Sequence, residues 1–145
     1  MMSLYGTVDT LLDRSLALGY GNVGYELRRR LPGWPADPPR IDGQNVVVTG
    51  AGSGIGLAAA RSLAALGARV VPVGRNQQRA DDAAAPVLEA GPGADVEPLA
   101  CDVSSLAELR AFAARSAAEH DRLDVLVNNA GVMPDERTRS ATGSS

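Results

Sequence analysis

A chain of 145 residues is one domain or part of one, and 45% apolar with 21% charged residues is the composition of a soluble globular fold. A net charge of -3 gives no electrostatic ground for binding nucleic acid, and the lone Cys101 excludes an internal disulfide and has no companion for a metal site. No run approaches the ~20 apolar residues of a membrane span, and the start MMSLYGTVDTLLDRSL, with Asp9 and Asp13, lacks the basic-then-apolar form of a signal peptide; the expected location is the cytoplasm.

Leu4, Val8, Leu11, Leu12 and Leu16 recur at helical spacing, so Ser3 to Leu18 reads as a short amphipathic helix. Gly19, Gly21 and Gly24 interrupt it, and Glu26 to Leu31 resumes helix. The segment LPGWPADPPR, Leu31 to Arg40, holds four prolines and reads as a linker or extended arm. Residues 1–40 are therefore expected to form a helical leader. Its apolar face packs on the main domain or on a partner, a second copy included, and Arg28 to Arg30 are compatible with weak contact to a membrane surface.

From residue 41 the pattern becomes regular. NVVVT (Asn45 to Thr49) is a short β-branched run and predicts a buried strand. Gly54 to Leu66 predicts a helix with Leu57, Leu63 and Leu66 on its period and Gly67 as its stop. RVVPV (Arg69 to Val73) predicts a second strand, weakened by Pro72, which lacks the donor a central ladder uses. Asn76 to Ala90 predicts a polar helix that Pro86 kinks or shortens. Asp95 to Ala100 predicts a third strand. Ser104 to His120 predicts a helix capped by Ser104 or Ser105, with Leu106, Leu109 and Phe112 as a buried stripe. LDVLVNN (Leu123 to Asn129) predicts a fourth strand. Strands alternating with helices imply an α/β fold, a doubly wound parallel sheet over residues 41–134, with 135–145 as a tail. His120, the only histidine, falls at a helix end, where a cation meets the negative end of the dipole. Cys101 reads as a buried strand-end thiol.

The seam between first strand and first helix, VVVTGAGSGIGLAAA, is where chemistry is expected. In such a sheet, ligands bind beyond the carboxyl ends of the strands, and the first helix N-terminus offers unpaired N–H groups to an anion. Gly50, Gly54 and Gly56 remove the side chains that would hold a diphosphate away from those donors.

The spacing is Thr-Gly-x-x-x-Gly-Ile-Gly from Thr49 to Gly56, with Ile55 where the third glycine of Gly-x-Gly-x-x-Gly would fall. Asn-Asn-Ala-Gly follows the fourth strand, as Asn128, Asn129, Ala130 and Gly131, and an acid, Asp102, follows the third. On these three markers the chain resembles the short-chain dehydrogenase/reductase family, over roughly Gly43 to Pro134. The opening MSLY and the later MPDERT resemble the dehydrogenase/reductase group called member twelve and its bacterial relatives.

The resemblance implies an NAD(P)-dependent Rossmann oxidoreductase, truncated after about four strands. It implies that Thr49, Gly50, Ser53, Gly54, Ile55 and Gly56 cradle the pyrophosphate. Asp102 would accept from the adenine amino group with Val103 beside the ring, although Asp102 also reads as a cap ahead of Ser104. Asn128, Asn129, Ala130 and Gly131 would support the central strand and line the ribose side. After the second strand the chain has Gly74 and Arg75 where an acid would bind the NAD ribose, which predicts NADP(H) over NAD(H). The family's Tyr-x-x-x-Lys catalytic pair is absent, since all fourteen basic residues are arginine. Tyr25 and Arg29 have that spacing but precede the first strand. No catalytic residue is assigned, and the chain alone is expected to be inactive. A small carbonyl or alcohol substrate would belong to a full-length form. A non-catalytic dinucleotide-binding module is the alternative. A Rossmann methyltransferase fits less well, because it usually keeps an acid after the second strand.

Overall fold

Consecutive β-branched residues favour extended chain, whereas alanine and leucine favour helix. The computed structural model, which describes Tyr25, Glu26, Arg29, Arg30 and residues 38–131, follows that division. In chain order the elements are β1 (Asn45–Thr49), α1 (Gly54–Ala65), β2 (Arg69–Gly74), α2 (Gln77–Ala90), β3 (Leu99–Ala100), α3 (Leu106–Glu119) and β4 (Val125–Val127). All strand pairs are parallel, in the order β3-β2-β1-β4, so these are the first four strands of a doubly wound sheet.

The chain divides into two compact units, Met1–Pro38 and Pro39–Ser145. In the first, Tyr25, Glu26 and Arg29 are helical, with Glu26 Oε1 3.8 Å from Arg29 Nη1. The helix expected over Ser3 to Leu18 and the tail 135–145 lie outside the described residues. Among the described residues no helix is long and apolar enough to cross a membrane.

The two faces of the sheet are closed differently. On one, Val46, Val48 and Val70 pack against Ala60 and Ala64 of α1 and Ala83 and Val87 of α2. Gly56, Ala60 and Ala64 recur every four residues, so one stripe of α1 meets the sheet with almost no side chain and comes close to it. Leu57 and Leu63, on the predicted helical period, are pushed to the margin and are only partly buried. On the other face, Val47, Val71, Val73 and Cys101 meet Leu109 and Phe112 of α3. The buried stripe expected on α3 needs correction: none of its residues is fully buried, and Leu106 is 39% exposed. A cavity of about 730 Å³ lies between α3 and the strands, lined among others by Val47, Val71, Leu109, Phe112 and Leu126, and it takes the space that tight packing would fill.

The prolines behave differently from each other. Pro72 sits inside β2, fully buried and in register with Val48. In a parallel strand, alternate residues address the same neighbour. Val70 donates to Asp95 and accepts from Glu97, and Gly74 accepts from Cys101, so Pro72 also faces the β3 side. Its missing donor therefore breaks that ladder, where the predicted strand Asp95–Ala100 is reduced to a bridge at Val96 and the two residues Leu99 and Ala100. Pro86 neither ends nor shortens α2, which runs on to Ala90. The carbonyl it leaves unpaired, four residues earlier, belongs to Asp82, which is exposed and can bind water.

β4 is shorter than the predicted Leu123–Asn129 and pairs only with β1, so it is the sheet's edge among the described residues. Leu126 is 49% exposed there. The asymmetry of the faces is measurable by urea unfolding at constant slope. Val48→Ala should lower stability by about 2 kcal/mol, and Leu126→Ala by less than about 1 kcal/mol. Equal losses would mean that the second face is as well packed as the first.

Candidate functional site

The turn from β1 into α1 begins tied to the sheet, with Gly50 N and Ala51 N donating to Val73 O at 3.0 and 3.4 Å. Gly50 and Gly54 have φ of +67° and +57°, a region that residues with a Cβ avoid. Gly56 has another reason to be glycine. A Cβ there would collide with the Gly50 carbonyl and with Asn129 Nδ2. Nothing lies within 4 Å of a Cβ position on Gly54, so that side of the turn is open.

Side-chain capping at this turn differs from that at the other two crossovers. α2 is capped by Asn76 Oδ1, which accepts from Arg79 N at 2.9 Å, and α3 by Ser105 Oγ, which accepts from Glu108 N at 3.3 Å. Ser53 occupies the same position on α1 but makes no side-chain cap, and the first turn of α1 holds no acid. Its orphan N–H groups and the positive end of its dipole are left to an outside acceptor. Ser53 and Gly54 are exposed, and Ile55 is 81% exposed above the turn.

The end of β4 reaches the same place. The Thr49 hydroxyl donates to Val127 O at 3.1 Å and accepts from the backbone N–H groups of Asn129 and Ala130, both at 3.1 Å. Asn129 Nδ2 donates to Thr49 O at 3.0 Å and to Gly50 O at 3.3 Å. The Thr49 hydroxyl and the Asn129 Nδ2 thus spend their hydrogen bonds inside the protein and fix the turn's position. Asn128 faces the cavity, and Ala130 and Gly131 are exposed. The sequence motif flagged both segments, but the hydroxyl bridge joining them needs the β1–β4 pairing to be known.

Arg75 follows β2 directly and is exposed. Asp102 follows β3, and its Oδ1 accepts from Ser104 N at 2.9 Å and Ser104 Oγ at 2.7 Å. These bonds hold its carboxyl below the ordinary range, and the charge of Arg75 adds to that. The helix cap proper is Ser105, so Asp102 orders the approach to α3 and keeps Oδ2 for another partner. Val103 is exposed beside it. Cys101 is buried and burial raises its thiol pKa, which disfavours the thiolate.

The carboxyl ends of the four strands therefore gather the glycine turn, Arg75, Asp102, Val103 and Asn128 to Gly131. The amino ends carry a separate cluster. Glu97 Oε2 lies 2.8 Å from Arg69 Nη2 and 2.9 Å from His120 Nε2. The sequence placed His120 at a helix end but gave no sign of Glu97, which is 23 residues away. Among the described residues no group of three or more His, Cys, Asp or Glu is placed to hold a metal.

The family model for short chain dehydrogenases matches residues 44–144. Human dehydrogenase/reductase SDR family member 13 is 41% identical over 132 residues, which are 90% of this chain and 34% of that protein. A metagenomic short-chain oxidoreductase solved in complex with NADP is 47% identical with a TM-score of 0.57, over 63% of this chain and 40% of that one. An NAD+-bound xylitol dehydrogenase is 33% identical with a TM-score of 0.57, over 63% of this chain and 34% of that one. The chain spans about a third of the length of the curated relatives it matches. With the glycine turn, the Asn-Asn-Ala-Gly end of β4 and the β3-β2-β1-β4 sheet in place, the chain belongs to the short-chain dehydrogenase/reductase family of oxidoreductases.

Proposed function

We propose that this chain is the NADP(H)-binding portion of a short-chain dehydrogenase/reductase. The longer form would transfer a hydride between nicotinamide and a carbonyl or alcohol. The observation that carries the reading is the uncapped, acid-free N-terminus of α1 beside a turn cleared of side chains. Such a helix end binds anions, and a dinucleotide diphosphate is the anion that a first crossover of this kind is built to meet. The site fits the group, since the space over Gly54 is open.

In this reading the backbone of Ser53, Gly54, Ile55 and Gly56 holds the diphosphate, and Gly50, whose N–H is committed to Val73 O, shapes the turn beneath it. The Thr49 hydroxyl and the Asn129 Nδ2 position the turn rather than touch the ligand, because they are already engaged. Asp102 Oδ2 takes the adenine amino group, Val103 lies against the ring, and Asn128, Ala130 and Gly131 line the ribose side. The fold does not choose between cofactors, because similar proteins are solved with NADP and with NAD+. Arg75 favours NADP(H): a guanidinium pairs with a 2′-phosphate in bidentate fashion, and the position before it is Gly74 rather than an acid. The cofactor would supply the hydride chemistry. The proton donor beside the carbonyl would come from sequence outside these 145 residues, which hold no lysine. The single buried thiol favours a reducing, cytoplasmic setting.

Calorimetry with NADPH and NADH tests the reading. NADPH should bind about ten- to a hundredfold more tightly, and Arg75→Ala should remove most of that ratio while leaving NADH affinity nearly unchanged. Tighter NADH binding, or an unaltered ratio in the variant, would refute the assignment of Arg75. Gly56→Ala should destabilise the domain by about 1–3 kcal/mol and weaken both cofactors, read as lower melting temperature and affinity. The 145-residue chain should show no NADPH oxidation with added carbonyl compounds. Turnover would mean that these residues themselves supply a proton donor.

A further inference from the structure

His120 stands at the carboxyl end of α3, with its side chain 10% exposed, and both ring nitrogens face acceptors. Nδ1 lies 3.1 Å from the Ser116 carbonyl, and Nε2 lies 2.9 Å from Glu97 Oε2. A carbonyl has no proton to give, and an ionised carboxylate has none either. A neutral imidazole donates from one nitrogen only, so it can satisfy one of these contacts and must set two lone pairs against each other at the other. Only the imidazolium satisfies both.

The acceptor side is held in its charged form. Arg69 Nη2 shares Glu97 Oε2 at 2.8 Å, and Arg69 Nε lies 3.0 Å from Asp95 Oδ2. His120 and, to a lesser extent, Arg69 keep the Glu97 carboxyl below its ordinary range. Glu97 raises the His120 pKa, with the Ser116 carbonyl assisting and burial and the charge of Arg69 opposing. The neighbouring charges on the same stretch are Glu119, Asp121 and Arg122, all exposed, with Arg122 committed to Asp124 at 3.1 Å.

What this pair holds matters because α3 has little else. No residue of α3 is fully buried, and a cavity of about 730 Å³ lies under it, with His120, Ser116 and Phe112 on its wall. Leu109 and Phe112 make the apolar attachment; Glu108 Oε2 accepts from Asp102 N at the amino end of the helix, and His120 with Glu97 is the polar tie at its carboxyl end, joining that end to the segment beside β2.

We propose that His120 is a proton-operated latch: as imidazolium it fastens the carboxyl end of α3 to Glu97 by a charged hydrogen bond, and on losing its proton it loses that charge and one of its two hydrogen bonds, which loosens that end over the second face of the sheet. The latch lies at the amino ends of the strands, away from the glycine turn, and does not depend on which cofactor binds there. The sign follows from the two groups. The His120 pKa is raised on folding, so its contribution is complete below the ordinary value of 6.5 and is lost as pH rises through the folded value. The Glu97 pKa is lowered, so its contribution is present above the ordinary 4.5 and is lost as pH falls through the folded value. The latch is closed between those limits.

As the only histidine, His120 gives one pair of imidazole C–H signals whose midpoint can be followed by NMR in the intact chain. Amide hydrogen exchange, corrected for the intrinsic pH dependence, reports α3 against α1 as an internal reference. A midpoint above 6.5 is expected, together with loss of about tenfold in the protection of α3 relative to α1 across that midpoint. Glu97→Gln should lower the midpoint and reduce that step. A midpoint at or below 6.5, or a constant α3-to-α1 protection ratio through the titration, would overturn the latch. Should Glu97→Gln fail to fold, the ratio in the unaltered chain decides alone.

Discussion

The structure turns on the approach of Gly56 to the Gly50 carbonyl and the Asn129 amide. That approach leaves no room for a Cβ, and it brings both ends of the glycine turn against the end of β4, far along the chain. Asn129 ties the β4 end to the β1 carbonyls, and Thr49 fills its hydroxyl with one donated and two accepted bonds from the same β4 end. A larger residue at position 56 would separate helix from strand. The first N–H groups of α1 would then no longer be presented at the carboxyl edge of the sheet. Site geometry and helix packing are therefore one constraint, met by removing atoms.

The rest of the core follows the same economy. The stripe Gly56, Ala60, Ala64 continues down α1, and Ala80 and Ala83 do the same on α2, so the largest fully buried side chains are valines and one proline. Close approach replaces bulk, and dispersion contacts between backbone and small side chains fill a face that has few aromatics to fill it. The second face has no such stripe. Its helix is attached by Leu109 and Phe112 and by a charged contact, which makes it the part of the described fold most open to change in conditions.

Much of this was legible in the sequence because it depends on local pattern. Asn45–Thr49 forms a strand where the β-branched run stands, Gly67 follows α1 with φ of +94°, and the strands pair in parallel as the alternation with helices implies. What local pattern missed depends on pairing. Pro72 looked like a mark against β2. Yet its effect falls on β3, because strand parity turns its nitrogen toward that neighbour. Periodicity put Leu106 on a buried face, but periodicity says which residues share a face and not whether anything covers it. In the site, the glycine spacing located the turn, whereas the commitment of Thr49 and Asn129 to internal bonds could only be seen once β1 and β4 lay side by side.

The charges at the carboxyl edge raise a question of compatibility. A carboxylate close to a 2′-phosphate would oppose it, yet Asp102 and Arg75 follow neighbouring strands and Arg75 helps keep Asp102 ionised. The arrangement is consistent because Ser104 holds Asp102 through Oδ1 by both its N–H and its hydroxyl, which fixes the carboxylate's orientation. An oriented, ionised acid accepts hydrogen bonds and donates none, which suits an exocyclic amino group. A guanidinium one strand away donates in a planar fork, which suits a phosphate. In the proposed reading, anion and cation on adjacent strand ends thus serve different parts of one nucleotide, and each lessens the electrostatic cost of the other's charge.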